Sequence, residues 1–372
     1  MTTLEITGLA TLSVLILCSA IQYIFYWFIF TKPFSIKNKT SEASHPVSII
    51  VCARNEEANL RENLPLLLEQ EYANYEVVVV NDCSSDDSDL VLKALAAQYP
   101  HLRYTTIKEN EKFQHGKKLA LTVGIKAAKN EWMLMTDADC KPSGPHWLSA
   151  MASQMTEDKA IVLGYGGYLS QPGLLNKLIR FETAWIALQY FSLAIIGNAY
   201  MGVGRNLSYR KSLFFANKGF ASHARLSSGD DDLFINETAT ATNVSVQFLP
   251  EAHTYSKPKK SLSEWIEQKS RHFQTYPQYK FKHKFLLTAE TFSRVTFYFS
   301  LAALFILQQF IWVALALLFV RLVSQVIVLN VWFKRLNEKK LFLLSLIFDL
   351  VMPFLYFIIY LTKKIKPARQ WR

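Results

Sequence analysis

The sequence predicts an α/β domain with a parallel, doubly wound sheet, held in a membrane by one N-terminal and two to three C-terminal helices. Two patterns predict this fold class. Short β-branched runs alternate with helical segments between residues 46 and 160, as in a parallel sheet with crossover helices. Long apolar stretches occupy residues 9–30 and most of the chain from about residue 291 onward.

The composition supports a membrane protein that handles anions. The chain has 372 residues, which is long enough for one domain plus membrane segments. Its formal net charge of +11 suggests anionic ligands or an anionic membrane face. The basic residues cluster beside the apolar segments and no nucleic-acid-binding motif is visible, so we do not expect nucleic acid as a partner.

The first apolar segment is predicted to be a retained membrane anchor. Residues 9–30 carry no charge over 22 positions, enough to cross about 30 Å of hydrocarbon. Basic residues follow this segment rather than precede it, unlike the arrangement in a cleaved signal peptide. We therefore expect an anchor at 1–31, a linker at 32–45, a cytosolic domain at 46–290 and a transmembrane region at 291–372.

Polar and acidic residues follow three of the predicted strands. These residues are Arg54, Asn55, Glu57, Asp82, Asp137 and Asp139. The carboxyl ends of parallel strands meet at one edge of a sheet, where α/β proteins bind ligands. Asp137 and Asp139 lie one residue apart, and Mg²⁺ or Mn²⁺ is the kind of cation that neutralises such a pair. Each pattern alone is also typical of an acidic turn.

In order and spacing these segments resemble family 2 glycosyltransferases of the GT-A fold, over about residues 46–275. Residues 52–57 resemble the first nucleotide-contacting loop, 80–86 the base-binding segment, 116–121 the Gly-Lys element near the phosphates, and 136–139 the motif for metal and diphosphate. The resemblance implies a nucleotide-binding half (46–160) and an acceptor half (161–290). It also implies donor-binding roles for Ala53, Arg54, Asn55, Glu57, Asp82, Lys117 and Asp137, with Asp139 as the direct metal ligand and Asp137 nearer the ribose.

A second acidic cluster lies at Asp230, Asp231 and Asp232. Carboxylates packed this closely raise one another's pKa, which suits one of them to accept a proton. The cluster resembles the family's Glu-Asp motif, in which the Asp is the general base, although Asp230 stands in the Glu position and a third Asp follows. We assign the catalytic base to Asp231, with Asp230 or Asp232 as the alternatives if the register differs by one.

Gln268, Arg271 and His272 resemble the family's Gln-x-x-Arg-Trp motif. Gln268 and Arg271 are three residues apart, on one face of a helix predicted to begin near residue 263. Arg271 is suited to a bidentate contact with the donor diphosphate. His272 stands where processive polysaccharide synthases carry Trp, which weakens the case for a processive enzyme.

Two apolar regions leave alternatives open. Residues 173–197 favour an interfacial or acceptor-lining helix, with a buried core helix as the alternative. Residues 292–333, broken near Gln308, and 341–362 favour three C-terminal spans. Three spans would export the basic tail, so the last segment has a second reading, as a re-entrant or interfacial helix.

The resemblance implies an inverting, hexosyltransferase-type enzyme in a bacterial inner membrane, with its catalytic domain in the cytosol. The implied donor is a nucleotide-sugar, a UDP-sugar in the first instance, and the implied acceptor is a lipid-linked hydroxyl. A processive polysaccharide synthase is the alternative enzyme, and a non-catalytic sugar-nucleotide-binding scaffold is the alternative from another class. The chain has neither the Gly-x-Gly-x-x-Gly of dinucleotide sites nor a Gly-Lys-Ser/Thr phosphate loop.

Overall fold

The computed structural model of the protein describes residues 2–36, 45–108 and 116–365, with side chains described as far as residue 361. The helices are α1 (Thr3–Tyr23), α2 (Lys32–Ser35), α3 (Glu57–Leu68), α4 (Ser88–Gln98), α5 (Lys117–Ala127), α6 (Trp147–Ala152), α7 (Leu174–Ile195), α8 (Lys211–Ala216), α9 (Asp232–Thr238), α10 (Leu262–His272), α11 (Phe281–Leu307), α12 (Ile311–Arg335) and α13 (Phe342–Ile365). The strands are β1 (Val47–Ala53), β2 (Tyr75–Asp82), β3 (Leu102–Ile107), β4 (Trp132–Asp137), β5 (Cys140–Pro142), β6 (Ile161–Leu163), β7 (Gly166–Tyr168), β8 (Leu207–Arg210), β9 (Val244–Val246) and β10 (Thr254–Ser256).

The central sheet has the strand order β3-β2-β1-β4-β8-β6-β9. Strand β1 is buried along its whole length and pairs in parallel with β2 and β4, as expected for a strand covered by helices on both faces. Cys52 of β1 lies opposite both Val80 of β2 and Asp137 of β4, so the three carboxyl ends are level. The predicted site residues after these strands therefore share one edge.

The predicted parallel, doubly wound sheet is confirmed for β1 to β4, and beyond β4 the sheet becomes mixed. Strand β8 runs antiparallel to both β4 and β6. Leu207, at the start of β8, pairs with Met135 near the end of β4, and Arg210 pairs with Trp132 at the start of β4. The chain thus enters β8 from the carboxyl edge and runs back along β4, which places the loop before β8 at the site.

A second, three-stranded sheet has the order β5-β10-β7. Strand β5 begins at Cys140, directly after Asp139, and pairs antiparallel with β10 so that Cys140 lies opposite Ser256. The Cys140 Sγ and Ser256 Oγ atoms are 3.0 Å apart. This small sheet fixes the chain immediately after the two acidic residues.

Among the residues that the structure describes, four helical segments are long and apolar enough to cross a membrane: Thr3–Ser35, Phe281–Leu307, Ile311–Arg335 and Phe342–Leu361. One is N-terminal and three are C-terminal, within the range that the sequence predicts. The first C-terminal helix begins at Phe281, before the predicted boundary at residue 291. The predicted break near Gln308 is confirmed, since Gln308 and Phe310 adopt left-handed backbone conformations with φ of 55° and 52°.

Helix α7 is buried on nearly all sides, so it is not an interfacial helix with an exposed apolar face. The Trp332 indole donates a hydrogen bond of 2.7 Å to the carbonyl of Ala184. The Phe181 ring packs against Phe333 and Phe348, with centroids 6.3 and 5.4 Å away. The alternative, a buried core helix, describes α7, because the α/β domain covers one face and the apolar helices cover the other.

The domain is joined to the apolar helices by a buried ion pair. Glu338, in the turn between α12 and α13, accepts hydrogen bonds of 2.9 and 2.5 Å from the Arg180 guanidinium of α7. The Tyr165 hydroxyl donates to the other Glu338 oxygen over 2.9 Å. Both charged side chains are almost fully buried, with relative exposures of 5% and 3%. The turn between α12 and α13 therefore lies on the same side as the domain.

The apolar helices share a buried charge cluster. Asp349 of α13 pairs with Arg321 of α12 over 2.7 Å and with Arg294 of α11 over 3.0 Å. The Tyr298 hydroxyl donates to Asp349 over 3.0 Å. All three charged side chains are 0–1% exposed, so the attraction between the partners has to compensate each of them for the loss of solvation.

Replacing Asp349 with Asn is expected to destabilise the fold by about 3–5 kcal/mol, because two buried arginines lose their shared counter-charge. A thermal unfolding scan of the protein in nanodiscs measures this as a lower midpoint. Leu350→Ala is the matched control, since the neighbouring Leu350 side chain is 42% exposed on the apolar surface. A midpoint for Asp349→Asn equal to that of the wild type would show that the cluster is not needed for stability.

Candidate active site

The loops after β1 and β2 are linked to each other by hydrogen bonds. Asn55 has a left-handed backbone (φ 53°), its N–H donates to Ser84 Oγ over 2.9 Å, and its Oδ1 accepts from the Ser85 N–H over 2.8 Å. The N–H of Glu57, at the start of α3, donates to Asp86 over 3.0 Å. The two predicted nucleotide-contacting segments thus form one continuous wall at the sheet edge.

Asp82 lies at the end of β2 and its side chain is fully buried. The Arg54 guanidinium lies over it, with 3.9 Å between Nη1 and Oδ2. Ala53, at the end of β1, is buried as well. The contact of Asp82 with a nucleotide base stays a prediction.

Asp137, Asp139 and Cys140 bring potential metal ligands within 4.8 Å of one another. Burial, and then the charge of Asp137, raise the pKa of Asp139, so a cation at this point would favour its ionised form. Burial raises the pKa of the Cys140 thiol well above its ordinary value, and this thiol lies 3.5 Å from Asp139 Oδ1 as a hydrogen-bond donor. Two carboxylates beside a protonated thiol fit Mg²⁺ or Mn²⁺, which prefer oxygen ligands.

Lys117, the first residue of α5, lies between the two acidic clusters. Its ammonium is 2.7 Å from Asp137 and 3.2 Å from Asp230. Burial by itself would lower the pKa of Lys117, but the charges of Asp137, Asp230 and Asp231 raise it well above its ordinary value. The side chain is therefore a fixed positive charge beside Asp137, in the position predicted for a phosphate contact.

Asp231 caps the N-terminus of α9 and faces the same space. Its Oδ2 accepts a hydrogen bond of 2.8 Å from the Gly204 N–H, in the loop before β8. Burial, followed by the charges of Asp230 and Asp232, raises the pKa of Asp231 to about 7. A carboxyl group with that pKa is suited to accept a proton near neutral pH.

Gly204 is the point at which the backbone approaches these charged groups closely. A Cβ atom at this position would lie 3.1 Å from Lys117 Nζ and 3.4 Å from Asp231 Oδ2. Because glycine has no side chain, the space between Lys117 and Asp231 stays open at this point, and the Gly204 N–H can approach and orient the Asp231 carboxylate.

Asp232 is directed away from this space. It accepts hydrogen bonds from the hydroxyls of Thr275 and of Tyr279, the second over 2.7 Å. Its side chain therefore fastens α9 to the chain that follows α10. Of the three predicted acids, Asp230 and Asp231 lie around Lys117, whereas Asp232 stabilises the packing of α9 against the segment after α10.

The motif residues of α10 lie along one edge of the site. The Gln268 amide donates to the Tyr168 hydroxyl over 3.2 Å. Arg271 is half-buried, and its guanidinium makes no ion pair or hydrogen bond with any residue that the structure describes. The His272 side chain is exposed, and desolvation by the surrounding protein, followed by the nearby cations, Lys269 first, lowers its pKa from the ordinary value.

Arg205 is a site residue that sequence reasoning missed. Its guanidinium stacks on the Tyr168 ring, 4.4 Å from the centroid, and donates to the Gly167 carbonyl over 3.1 Å. Its charge acts to lower the pKa of Asp139, which opposes the effects of burial and of Asp137. The available signal was its place directly after two closely spaced glycines, Gly202 and Gly204, which favour a loop in which the backbone is accessible.

A small cavity at the carboxyl edge joins these groups. The polar residues that line it are Lys117, Thr136, Asp137, Gly204, Asp230 and Asp231, together with Cys52 and Tyr209. They come from β1, β4, α5, β8, the loop before β8 and the start of α9. The cavity combines Asp137, one of the potential metal ligands, with the fixed positive charge of Lys117 and with Asp231, whose raised pKa suits it to accept a proton near pH 7.

Two protein families match the sequence. The model of "Glycosyl transferase family 2" matches residues 48–215, and that of "Glycosyl transferase family group 2" matches residues 132–362, which is more than half of the chain. Together the two matches cover both halves of the catalytic domain and most of the C-terminal helices.

Curated relatives match parts of the chain. The "Probable glycosyltransferase YdaM" of Bacillus subtilis (strain 168) is 24% identical over 241 residues, covering 60% of this chain and 54% of the relative. The "Poly-beta-1,6-N-acetyl-D-glucosamine synthase" of Staphylococcus epidermidis is 28% identical over 120 residues, covering 31% of this chain and 28% of the relative. The chain therefore aligns with about half or less of the length of these relatives.

A solved structure shares the fold along nearly the whole chain. The mannosyltransferase PcManGT from Pyrobaculum calidifontis, solved in complex with GDP-Man and Mn²⁺, matches with a TM-score of 0.58 and 19% identity, over 94% of this chain and 99% of that one. At this identity the likeness concerns the GT-A fold alone. With the family match over more than half of its length, the chain belongs to the family 2 glycosyltransferases.

Proposed function

We propose that the chain is a membrane-bound, inverting glycosyltransferase that moves a sugar from a nucleotide donor to a hydroxyl group of a lipid-linked acceptor. The observation that carries the proposal is the shared cavity of Asp137, Lys117 and Asp231 at the carboxyl edge of the sheet. It supplies groups for the leaving diphosphate and for the acceptor proton within one small space.

Asp231 is the proposed base. Its carboxylate takes the proton of the acceptor hydroxyl as the acceptor oxygen bonds to the anomeric carbon. The bond from that carbon to the donor phosphate breaks on the opposite side, which inverts the configuration. The Gly204 N–H, 2.8 Å from Oδ2, keeps the carboxylate oriented during this step.

Lys117 and Arg271 are the proposed contacts to the leaving diphosphate. Lys117 is held beside Asp137, and the Arg271 guanidinium has no ion-pair partner among the described residues. A divalent cation held by Asp139, with Asp137 nearer the ribose, would neutralise charge that develops on the leaving group. Negative charge on the leaving diphosphate grows in the transition state, so these positive charges stabilise the transition state more than the bound donor and lower the barrier of transfer.

The attachment of the site to the apolar helices supports a lipid-linked acceptor. Lys269 lies between Gln268 and Arg271 in α10, and its ammonium pairs with Glu182 of α7 over 2.5 Å. Glu182 also accepts a hydrogen bond of 3.2 Å from the Tyr356 hydroxyl of α13. The motif helix is thus built directly on the membrane-associated part, close to where a lipid carrier would present its head group.

The proposal predicts donor binding that requires a divalent cation, followed by transfer to lipid. A thermal-shift panel of UDP-, GDP- and other nucleotide-sugars with Mn²⁺ should yield one donor class that stabilises the protein in nanodiscs, and EDTA should remove the shift. Radiolabel from that donor should then enter the organic phase of a membrane lipid extract. If the label enters only water-soluble material, the proposal of a lipid-linked acceptor is wrong. If no donor binds in a cation-dependent way, the proposal of a metal-dependent donor site is wrong.

A processive polysaccharide synthase is the second candidate, because one of the curated relatives carries the name of a polysaccharide synthase. His272 in place of the Trp of processive enzymes favours transfer of a single sugar. Product length on a defined acceptor separates the two, since a transferase adds one residue and a synthase gives a ladder.

A further inference from the structure

Helix α13 has two faces of different character. Large apolar side chains that are exposed recur every three or four residues, on one stripe: Leu343, Ile347, Leu350, Phe354, Phe357 and Leu361. The opposite face is buried against protein and includes the polar residues Ser345 and Asp349. This spacing places the whole apolar stripe on one side of the helix, along its full described length.

The buried face shows which way α13 runs. The helix starts beside the domain, because the preceding Glu338 is bonded to Arg180. At 1.5 Å per residue, a helix leaving along the membrane normal would carry Tyr356 about 21 Å away from the domain. The Tyr356 hydroxyl instead contacts Glu182, and its ring lies 5.3 Å from Phe273, directly after α10.

The neighbouring helices behave differently. Gln309, in the turn between α11 and α12, packs against Gly8 near the start of α1. This contact lies at the opposite end of α12 from Trp332, which contacts α7 of the domain. α11 and α12 therefore run away from the domain and back. α13 contacts both of them through Asp349, but it also contacts α7 and the residue after α10 through Phe348 and Tyr356.

The distribution of charge agrees with this course. Lys334, Lys339 and Lys340 flank the turn that Glu338 holds on the domain side. The last turn of α13 carries Lys363 and Lys364, and the sequence after it has Lys366, Arg369 and Arg372. If α13 crossed the membrane, these five basic residues would lie on the face opposite to the basic turn, against the usual bias of Lys and Arg toward one side.

We propose that α13 does not cross the membrane but lies in the plane of the leaflet that faces the catalytic domain. Its apolar stripe enters the acyl chains to a depth of about 5–10 Å, while α7 and α10 rest on its other face. The basic residues after α13 then stay on the domain side, where anionic lipid head groups are suitable partners. The two long C-terminal helices that cross are α11 and α12.

The first test is the side on which the chain ends. An epitope tag is added to the C-terminus of the full-length protein, and protease is applied to membrane vesicles of both orientations. We expect the tag and the catalytic domain to be cleaved in the same vesicle preparation. Cleavage in opposite preparations would show that α13 crosses the membrane and would overturn the proposal.

The second test separates an in-plane helix from a re-entrant one, which would also return the tail. Full-length variants carry one fluorescent amino acid at Leu343, Phe354 or Leu361, in vesicles of phosphatidylethanolamine and phosphatidylglycerol with brominated acyl chains. Bromines placed at different depths should quench all three positions with the same depth profile. A central position, Phe354, that lies clearly deeper than the two ends would contradict an in-plane helix. Neither test depends on donor, acceptor or activity, so failure of this proposal can be told apart from failure of the proposed function.

Discussion

Replacing Asp231 with Asn is expected to lower kcat about 10²–10⁴-fold, which is the usual contribution of a general base. The amide keeps an oxygen that accepts the Gly204 N–H at 2.8 Å, so the loop before β8 should hold its shape. It cannot take the acceptor proton. Initial rates of transfer at saturating donor measure the loss, and donor affinity measured by calorimetry should stay near the wild-type value.

Asp232→Asn is the matched control for that variant, because it makes the same chemical change one residue away. Its oxygen continues to accept from Thr275 and Tyr279, so we expect most of kcat to remain. If Asp232→Asn loses activity as Asp231→Asn does, or Asp231→Asn keeps wild-type kcat, the base is assigned wrongly.

The pKa of Asp231 also sets a pH dependence. A base acts only when it is deprotonated, and this pKa is raised to about 7. The kcat/KM of the wild type should therefore fall as the pH decreases through about 7 and level off above it.

Replacing Asp139 with Asn is expected to weaken cation-dependent donor binding at least about 10–100-fold, the range measured when a partner behind a metal ligand is lost. The amide oxygen carries no charge to balance a divalent cation, and Asp137 is already paired with Lys117 over 2.7 Å. Binding of Mn²⁺ followed by electron paramagnetic resonance, with and without donor, gives a readout that is independent of turnover.

Cys140→Ser is the control for the metal site. The thiol lies among the potential ligands, but burial holds it protonated and it serves as a hydrogen-bond donor to Asp139. A serine hydroxyl keeps that donor, so Mn²⁺ affinity should change little. A large loss for Cys140→Ser, with none for Asp139→Asn, would move the cation from the carboxylate to the sulfur.

The fold between residues 46 and 160 could be predicted from the sequence because its information is local. The β-branched runs of β1 and β2 and the apolar run of β4 are buried, and each ends in polar residues that a parallel sheet brings to one edge. Lys117 was predicted from the resemblance of residues 116–121 to the family's Gly-Lys element, and it is the first residue of α5, which leads into β4. Cys52 of β1 pairs directly with Asp137 of β4, so the polar residues that follow the two strands lie side by side in one site.

The other half depends on contacts between distant parts of the chain. Strand β8 has four residues, and its antiparallel direction is set by where the preceding loop enters the sheet. Arg205 matters because it stacks on Tyr168, and no local pattern reports that contact. The burial of α7 depends likewise on Trp332, which meets it 148 residues further along the chain.

The buried pair of Arg180 and Glu338 has a consequence for the choice of acceptor. The pair bonds the domain to the turn between α12 and α13 without solvent, so the domain has little freedom to tilt over the bilayer. We therefore expect the height of Asp231 above the membrane surface to be constant. For the proposed lipid-linked acceptor, this constant height is expected to favour hydroxyl groups that lie at one distance from the membrane and to exclude those of shorter and longer head groups.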